Sequence, residues 1–282
     1  MKNWTFHDGQ TVNRLGFGAM RLTGQPGNWG PYPDKQRAAR VFRLAVEMGV
    51  NFIDTAISYG AGHSEMLIAE ILHPYPKGLM IATKGGIIKT GPAEIRMDGS
   101  PSNLRSSCES SLSYLKIDCI DLYQYHYVDP KIPLEDSIGA LVSLKNEGKI
   151  RHIGLCNVSV DQIKKARDIT PIASVQNRYN VSDRAHEDVL KYCVAEGIAF
   201  ICYSPFNAEG FVQGAPLAGV GSPFEPIAKR LGVTAGQVAL AWLLQLGPNV
   251  IPIPGTTSPE HLTENVAARD IELSPKDISS LL

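Results

Sequence analysis

The chain has 282 residues, of which 44% are hydrophobic and 20% are charged, and its formal net charge at pH 7 is −1. This balance is typical of a globular enzyme, and the lack of long basic or acidic runs argues against nucleic acid and anionic membranes as partners. The five widely spaced cysteines form no Cys-x-x-Cys pair, which favours reduced thiols and a cytoplasmic location over disulfides or a zinc site.

The N-terminal segment carries no apolar stretch of the kind found in signal peptides. Residues 4–16 instead have the pattern of a β-hairpin with Asp8-Gly9 at its turn, a dipeptide that favours the tight turns of hairpins. We expect this hairpin to cover the floor of the barrel that the following segments predict.

Eight short apolar runs rich in β-forming residues follow along the chain. They lie at 14–20, 51–56, 79–86, 120–127, 150–157, 173–180, 199–206 and 250–255. Segments of helical spacing separate them, and such alternation predicts parallel strands joined through helices. Eight units without an intervening linker predict an α/β fold, a single-domain (β/α)₈ TIM barrel over residues 1–282.

The helical spacing is clear in residues 34–49. Ala38, Val41, Phe42 and Ala45 recur at intervals of three or four residues and would share one buried face. This segment is therefore predicted to be an amphipathic helix on the outside of the sheet.

Residues 207–248 form a long insertion into this alternation. Its first half is irregular and rich in glycine and proline, and two helical patterns follow. In a barrel such an insertion is typical of a lid or a ligand-holding loop, so we expect one here together with extra helices near the C-terminus.

An open, doubly wound sheet is the main alternative to the barrel. The first predicted strand contains the Gly-x-Gly of a dinucleotide-binding fingerprint at Gly16 and Gly18, but Arg21 stands where the third glycine would be. Neither a P-loop nor a His-Glu-x-x-His metal motif is present in the sequence, and we expect no metal. The barrel is therefore preferred.

Polar residues stand at the C-terminal ends of the predicted strands, where barrels carry their chemistry. They are Asp54 with Tyr59 beyond it, Lys84, His126, Asn157, Gln176, and Tyr203 with Ser204. Taken singly, Asp54, Tyr59, Lys84 and His126 each have an ordinary structural explanation, such as a helix cap or a packed ring. Their convergence from three neighbouring strands favours a catalytic site, since a buried lysine needs a partner and Asp54 can provide it.

These four groups suit the protonation of an oxygen atom. A tyrosine titrates near about pH 10 when unperturbed, and a nearby ammonium lowers that pKa. Lys84 would therefore make Tyr59 a better acid, Asp54 would hold Lys84, and His126 would orient a carbonyl oxygen. Since no nucleophile with a dedicated base is present, a hydride from a nicotinamide cofactor is the expected attacking group.

The sequence resembles the aldo-keto reductase family along nearly its whole length. The matching motifs, in order, are RLGFGAM, GVNFIDTAISYG, IATKGG, DLYQYHYVD, GKIRHIGLCN, VQNRYN, YSPF and VIPIPGTTSPEHLTEN. The resemblance implies a (β/α)₈ barrel that binds NAD(P)H without a dinucleotide-binding domain and reversibly reduces aldehydes or ketones. It places the family's catalytic tetrad on Asp54, Tyr59, Lys84 and His126.

The resemblance also implies a set of cofactor-binding residues. They are Met20, Asp54, Cys156, Asn157, Gln176, Tyr203, Ser204, Phe206, Asn207, Gly255, Thr256, Thr257, His261, Glu264 and Asn265. Asn157 and Gln176 match the contacts to the carboxamide, with Cys156 in the place of a usual serine. Tyr203 matches the ring that stacks on the nicotinamide.

Two of these positions depart from many NADPH-preferring members, which carry lysine and arginine where this chain has Gly255 and His261. A guanidinium binds a phosphate through two donors, which an imidazole cannot do. The helix that follows Ser258 still offers N–H donors to a phosphate. We therefore expect NADPH or NADP⁺ as the cofactor, with NADH also accepted to some extent.

The substrate is expected to be a small carbonyl compound. Arg21, Trp29 and Tyr127, with Tyr59 and His126, are the candidate substrate-binding residues. The loop at 27–34 is similar to that of bacterial members that reduce pyridoxal, which makes pyridoxal a candidate. The chain ends at Leu282 without a long C-terminal loop, which suggests an open pocket. The protein is expected to be a monomer or a small homo-oligomer.

Two other functions fit the same residues. Some family members act as cofactor-binding regulatory subunits of channels, and an intact tetrad does not exclude that role. Alternatively, Lys84 would serve as the Schiff-base nucleophile of an aldolase barrel.

Overall fold

The computed structural model describes residues 3–207, 217–219 and 221–281. Its strands are β1 (Asn3–Thr5), β2 (Thr11–Asn13), β3 (Phe17–Gly18), β4 (Phe52–Asp54), β5 (Met80–Gly85), β6 (Ile87–Lys89), β7 (Ile95–Met97), β8 (Ile120–Tyr125), β9 (Ile150–Cys156), β10 (Ser174–Arg178), β11 (Ala199–Tyr203) and β12 (Val250–Pro252). Its α-helices are α1 (Lys35–Glu47), α2 (His63–Leu72), α3 (Pro101–Leu115), α4 (Leu134–Asn146), α5 (Val160–Arg167), α6 (Glu187–Glu196), α7 (Glu225–Leu231), α8 (Ala235–Gln245), α9 (Pro259–Ala267) and α10 (Pro275–Ser280).

The central sheet contains eight parallel strands in the order β12-β11-β10-β9-β8-β5-β4-β3. Its two edges meet, since Gly16 N donates to Pro252 O at 3.0 Å and Gly18 N donates to Pro254 O at 3.2 Å. The contact is close enough that a Cβ added at Gly18 would lie 2.7 Å from the backbone oxygen of Ile253. The (β/α)₈ barrel is confirmed, and the open doubly wound sheet is wrong.

The helices pack outside the barrel through apolar faces. In α1 the buried residues are Ala38, Val41, Phe42 and Ala45, as the spacing predicts. Helix α2 was not recognisable from the sequence, because its buried side includes the polar Ser64 and Glu65 and so lacks a clean apolar stripe.

The N-terminal hairpin has the predicted form. Strands β1 and β2 pair antiparallel, and Phe6 N donates to Gln10 O at 2.8 Å across the turn that contains Asp8-Gly9. Phe6 and Val12 are buried in a cluster with inward-facing barrel residues such as Phe52. The hairpin therefore covers the barrel floor and leaves the C-terminal ends of the strands as the open end.

The two helical patterns predicted after residue 207 are confirmed as α7 and α8. Residues 208–216 and 220, on which much of the lid prediction depends, lie outside the described residues. A second hairpin, β6–β7, extends from the C-terminal end of β5 and was not predicted.

Membrane and metal features were also sought in the described ranges. No helix there combines the length and apolar character needed to cross a membrane. In the same ranges, no three His, Cys, Asp or Glu side chains gather so as to hold a metal ion. All five cysteines are free thiols.

Candidate active site

A buried ion pair joins β4 to β5 at the open end of the barrel. Lys84 Nζ lies 2.5 Å from Asp54 Oδ1, and the side chains are 0% and 2% exposed. Lys84 also donates to Thr55 O at 2.8 Å. Burial alone would lower the pKa of Lys84, but the neighbouring Asp54 and Tyr59 outweigh it and raise the pKa above its ordinary value. The ammonium therefore stays charged in the barrel interior.

Tyr59 lies in the loop between β4 and α2 and reaches back to this pair. Its hydroxyl oxygen lies 3.2 Å from Lys84 Nζ. Burial raises the pKa of Tyr59 to about 12, and Lys84 offsets only part of that rise. The expectation that Lys84 brings the Tyr59 pKa below its ordinary value is therefore wrong, because desolvation exceeds the attraction of the ammonium. Tyr59 is protonated at neutral pH and can donate a proton.

His126 follows β8 and faces Tyr59. The two ring centroids lie 6.0 Å apart with the planes at 79°. Burial, with a further contribution from Lys84, lowers the pKa of His126 well below its ordinary value, so the imidazole is neutral. Its Nδ1 is buried, and the described part of the chain gives it no hydrogen-bond partner. A neutral imidazole that faces the ring of Tyr59 is suited to binding a polar group of a substrate.

Two glutamines complete the surroundings of Asp54. Gln176 Nε2 donates to Asp54 Oδ2 at 2.7 Å, and Gln124 Nε2 donates to the same oxygen at 3.0 Å. The Cys156 thiol donates to Gln124 Oε1 at 3.6 Å. Gln124 was missed in the sequence, although it stands two residues before His126 on a strand and so faces the same side. These bonds fix the carboxylate that holds Lys84.

Asn157 connects the strand ends on the other side of the opening. Its Nδ2 donates to His126 O at 3.0 Å, and it accepts from the Tyr203 hydroxyl at 2.7 Å. Its backbone is left-handed, with φ 56°. Tyr127 lies next to His126, with ring centroids 5.5 Å apart. The structure thus brings together five residues that the sequence predicts for the cofactor and substrate: Asn157, Gln176, Tyr203, His126 and Tyr127.

The loop that carries Trp29 lies against the Tyr59 segment. Its two ends meet, since Gly24 N donates to Gly30 O at 3.0 Å and Trp29 N donates to Gly24 O at 2.9 Å. Gly60, which follows Tyr59, donates its N–H to Asn28 O at 3.2 Å. The backbone of this loop is therefore held against the segment that carries Tyr59.

The predicted cofactor positions after β11 lie in a tightly turned segment. Ser204 and Asn207 both have left-handed backbones, with φ 55° and 48°. Asn180 donates to Ser204 O at 3.0 Å and Arg178 donates to Asn207 Oδ1 at 2.5 Å. The half-buried Phe206 lies between them, and its carbonyl accepts from Leu217 N at 2.8 Å.

The remaining cofactor positions surround the start of α9. Ser258 caps the helix, with Oγ accepting from His261 N at 3.2 Å, and Thr256 Oγ1 accepts from Ser258 N at 3.0 Å. Among the neighbouring positions, Thr256 and Asn265 are buried, Thr257 is half-buried, and His261 and Glu264 are exposed. The exposed N-terminus of this helix can bind an anion.

Gly255 precedes that helix and touches the first strand. A Cβ there would lie 2.6 Å from the oxygen of Gly18 and 3.5 Å from Arg21 Cγ. The side chain of Arg21, one residue after Met20 in the short 3₁₀ turn Ala19–Arg21, therefore lies over Gly255. The absence of a basic side chain at Gly255 has a steric reason.

A sequence model of the Aldo/keto reductase family matches residues 14–281. The chain belongs to this family. The match includes Asp54, Lys84 and His126, and it confirms the family predicted from the motifs. The chain is thus an oxidoreductase of the aldo-keto reductase type.

Individual aldo-keto reductases and other oxidoreductases agree with this assignment. An uncharacterized oxidoreductase of Schizosaccharomyces pombe is 45% identical over 96% of this chain and 86% of its own length. Pyridoxine 4-dehydrogenase of Escherichia coli is 39% identical over 96% of this chain and 94% of its own. The crystal structure of an aldo-keto reductase from Klebsiella pneumoniae in complex with NADPH has a TM-score of 0.82 and 27% identity, covering 99% of this chain and 93% of that one.

One buried acid of this aldo-keto reductase was not predicted to matter. Glu65, in α2, is 0% exposed, and its Oε1 accepts from Thr83 Oγ1 at 2.5 Å on the outer side of β5. Its Oε2 is buried and has no hydrogen-bond partner in the described part of the chain. Burial raises the pKa of Glu65 to about 7. Thr83, the residue before Lys84, is therefore hydrogen-bonded to an acid that is only partly ionised at neutral pH.

Replacing Glu65 with glutamine is expected to make the protein more stable at alkaline pH. Between the unfolded pKa, 4.5, and the folded pKa, about 7, ionisation favours the unfolded chain, so stability falls as pH rises. Above about pH 7 the ionised Glu65 lowers the free energy of unfolding by a constant amount of about 3 kcal/mol. Urea unfolding should therefore show that the free energy of unfolding of Glu65→Gln, relative to the original protein, is higher at pH 8 than at pH 5.

Glu70→Gln is the matched control, because Glu70 lies on the same helix but is exposed and pairs with Lys35 at 2.8 Å. It should leave the pH dependence of unfolding unchanged. An equal effect of Glu65→Gln at both pH values would contradict the raised pKa.

Proposed function

We propose that this aldo-keto reductase reduces aldehydes or ketones to alcohols with NADPH, and that Tyr59 protonates the carbonyl oxygen. The observation that carries the proposal is the Tyr59 hydroxyl, 3.2 Å from the ammonium of Lys84 and facing the neutral ring of His126. A protonated phenol, a fixed positive charge and a neutral imidazole are the groups needed to bind and protonate a carbonyl oxygen.

Each side chain has a distinct role in this proposal. His126 orients the carbonyl oxygen towards Tyr59, and Tyr59 donates its proton to that oxygen. Lys84 stabilises the phenolate that remains, and Asp54 keeps Lys84 charged and in place. Gln124 and Gln176 fix the Asp54 carboxylate through bonds of 3.0 and 2.7 Å.

The residues around the opening fit a nicotinamide dinucleotide. When bound, the cofactor supplies the hydride that reduces the carbonyl carbon. Asn157, Gln176 and Tyr203 would hold its nicotinamide end, and Ser204, Phe206 and Asn207 its pyrophosphate.

At the other end of the cofactor, the capped N-terminus of α9 would receive the 2′-phosphate, with Thr256, Thr257 and His261 around it and Glu264 and Asn265 near the adenine. NADPH is accordingly the cofactor, with NADH as a weaker second.

Small aromatic aldehydes are the proposed substrates, with pyridoxal among them. The Escherichia coli relative is named for its action on pyridoxine, the alcohol that corresponds to pyridoxal. Arg21, Trp29 and Tyr127 would line the part of the pocket beyond the carbonyl. A cytoplasmic location and a monomeric or small homo-oligomeric state stay predictions.

The test is a screen of NADPH oxidation over aldehydes and ketones that include pyridoxal, with NADH in parallel. We expect turnover of aromatic aldehydes and a higher kcat/KM with NADPH than with NADH. A preference for NADH would contradict the cofactor assignment. Covalent trapping of a substrate on Lys84 by borohydride, without NADPH oxidation, would favour the aldolase alternative instead.

A further inference from the structure

Lys89 joins two loops at the mouth of the barrel. It ends β6, the strand that follows the Lys84 strand, and it is half-buried. Its ammonium donates to Gly27 O and, at 2.8 Å, to Asn28 O. Both acceptors are backbone carbonyls of the loop that carries Trp29.

The same carbonyl of Asn28 also accepts from Gly60 N at 3.2 Å. One oxygen therefore connects the β6 lysine, the Trp29 loop and the segment that carries Tyr59. The loop is further fixed by Thr23 Oγ1, which donates to Asn28 Oδ1 and lies 2.8 Å from Met20 O.

Close backbone contacts on both sides leave the loop little space. A Cβ added at Gly27 would lie 2.8 Å from Pro92, in the turn of the β6–β7 hairpin. A Cβ added at Gly60 would lie 2.6 Å from Gly30 O on the opposite side. The loop is thus packed between the hairpin and the Tyr59 segment, and Lys89 supplies the side-chain bonds on the hairpin side.

We infer that Lys89 is a specificity-determining positioning residue, which fixes the Trp29 loop beside Tyr59 as a rigid wall for ring-bearing aldehydes. An aldehyde with an aromatic ring extends beyond its carbonyl group towards this wall, whereas a three-carbon aldehyde is too short to depend on it. Two charge-assisted bonds to carbonyl oxygens suit a lysine for holding a loop in one place. The inference rests on the proposed reductase function.

Steady-state kinetics with benzaldehyde and propanal test the inference. Lys89→Met should raise KM for benzaldehyde roughly tenfold, since small misplacements of a positioning wall are costly. The kcat, the KM for NADPH and the KM for propanal should stay nearly unchanged. Lys89→Arg, which keeps N–H donors for the two carbonyls, should retain the KM of the original protein.

Lys131→Met is the matched control, because Lys131 is exposed in the loop after β8 at the same end of the barrel. It should change none of these values. An equal rise in KM for both aldehydes, or a fall in kcat alone, would overturn the assignment of Lys89.

A second measurement does not depend on catalysis. The three tryptophans are Trp4, Trp29 and Trp242, so the difference between matched proteins with and without Trp29→Phe isolates the Trp29 fluorescence. Quenching of that signal by acrylamide should increase in Lys89→Met, because the loop is released. Unchanged quenching would overturn the inference even if the reductase mechanism holds, and increased quenching in an inactive protein would contradict only the mechanism.

Discussion

Replacing Tyr59 with phenylalanine is expected to lower kcat for aldehyde reduction by about 10²–10⁴-fold, the range associated with general acid catalysis. The hydroxyl that lies 3.2 Å from Lys84 Nζ is the proton donor of the proposed reaction, and phenylalanine removes it while keeping the ring. Because burial raises the pKa of Tyr59 to about 12, the loss should be similar across the neutral pH range.

Binding of NADPH gives the control for this variant. The proposed cofactor contacts come from the C-terminal ends of β9, β10 and β11, the residues that follow them, and the start of α9 with the residues before it. The Kd for NADPH should therefore change little in Tyr59→Phe. Titration of protein fluorescence with NADPH measures it. A nearly normal kcat in Tyr59→Phe would contradict the mechanism. A large loss of affinity for NADPH would show instead that Tyr59 acts through the cofactor.

Replacing Lys84 with methionine is expected to have the largest effect on stability. It leaves the Asp54 carboxylate buried without a counter-charge, and removing one partner of such a pair destabilises a protein by about 3–5 kcal/mol. The bonds from Gln124 and Gln176 remain but carry no full charge. Urea unfolding should show the loss, and NADPH oxidation should show little turnover.

The double variant Asp54→Asn with Lys84→Met separates the two roles of the pair. Without a buried charge it should regain most of the lost stability, because both charges are removed together. Turnover should stay low, since Tyr59 no longer has an ammonium beside it. A double variant as unstable as Lys84→Met would indicate that packing, not charge, explains the loss.

The residues of the site could be predicted from the sequence because a parallel barrel has a simple geometry. Each strand ends at the same rim, so Asp54, Lys84 and His126 must converge once their strands are recognised. Gln124 could have been found in the same way, since it faces inward two residues before His126. The motif order then identified the family without further structural information.

Other features depend on contacts that no single segment reveals. Helix α2 buries Glu65 against Thr83, a pairing that hides its apolar pattern. The β6–β7 hairpin forms between short segments with exposed residues such as Ile95. The pKa of Tyr59 could not be predicted either, because it is set by the balance between burial and the attraction of Lys84.

The contact between Gly18 and Gly255 limits how cofactor preference can be changed by protein engineering. A lysine at Gly255 would place its Cβ 2.6 Å from the Gly18 oxygen and so push the segment after β12 away from β3, where the barrel closes. His261 lies on the first turn of α9, and its side chain is exposed to solvent. Designs that strengthen NADPH binding should therefore begin with His261→Arg and leave the glycine at the barrel seam intact.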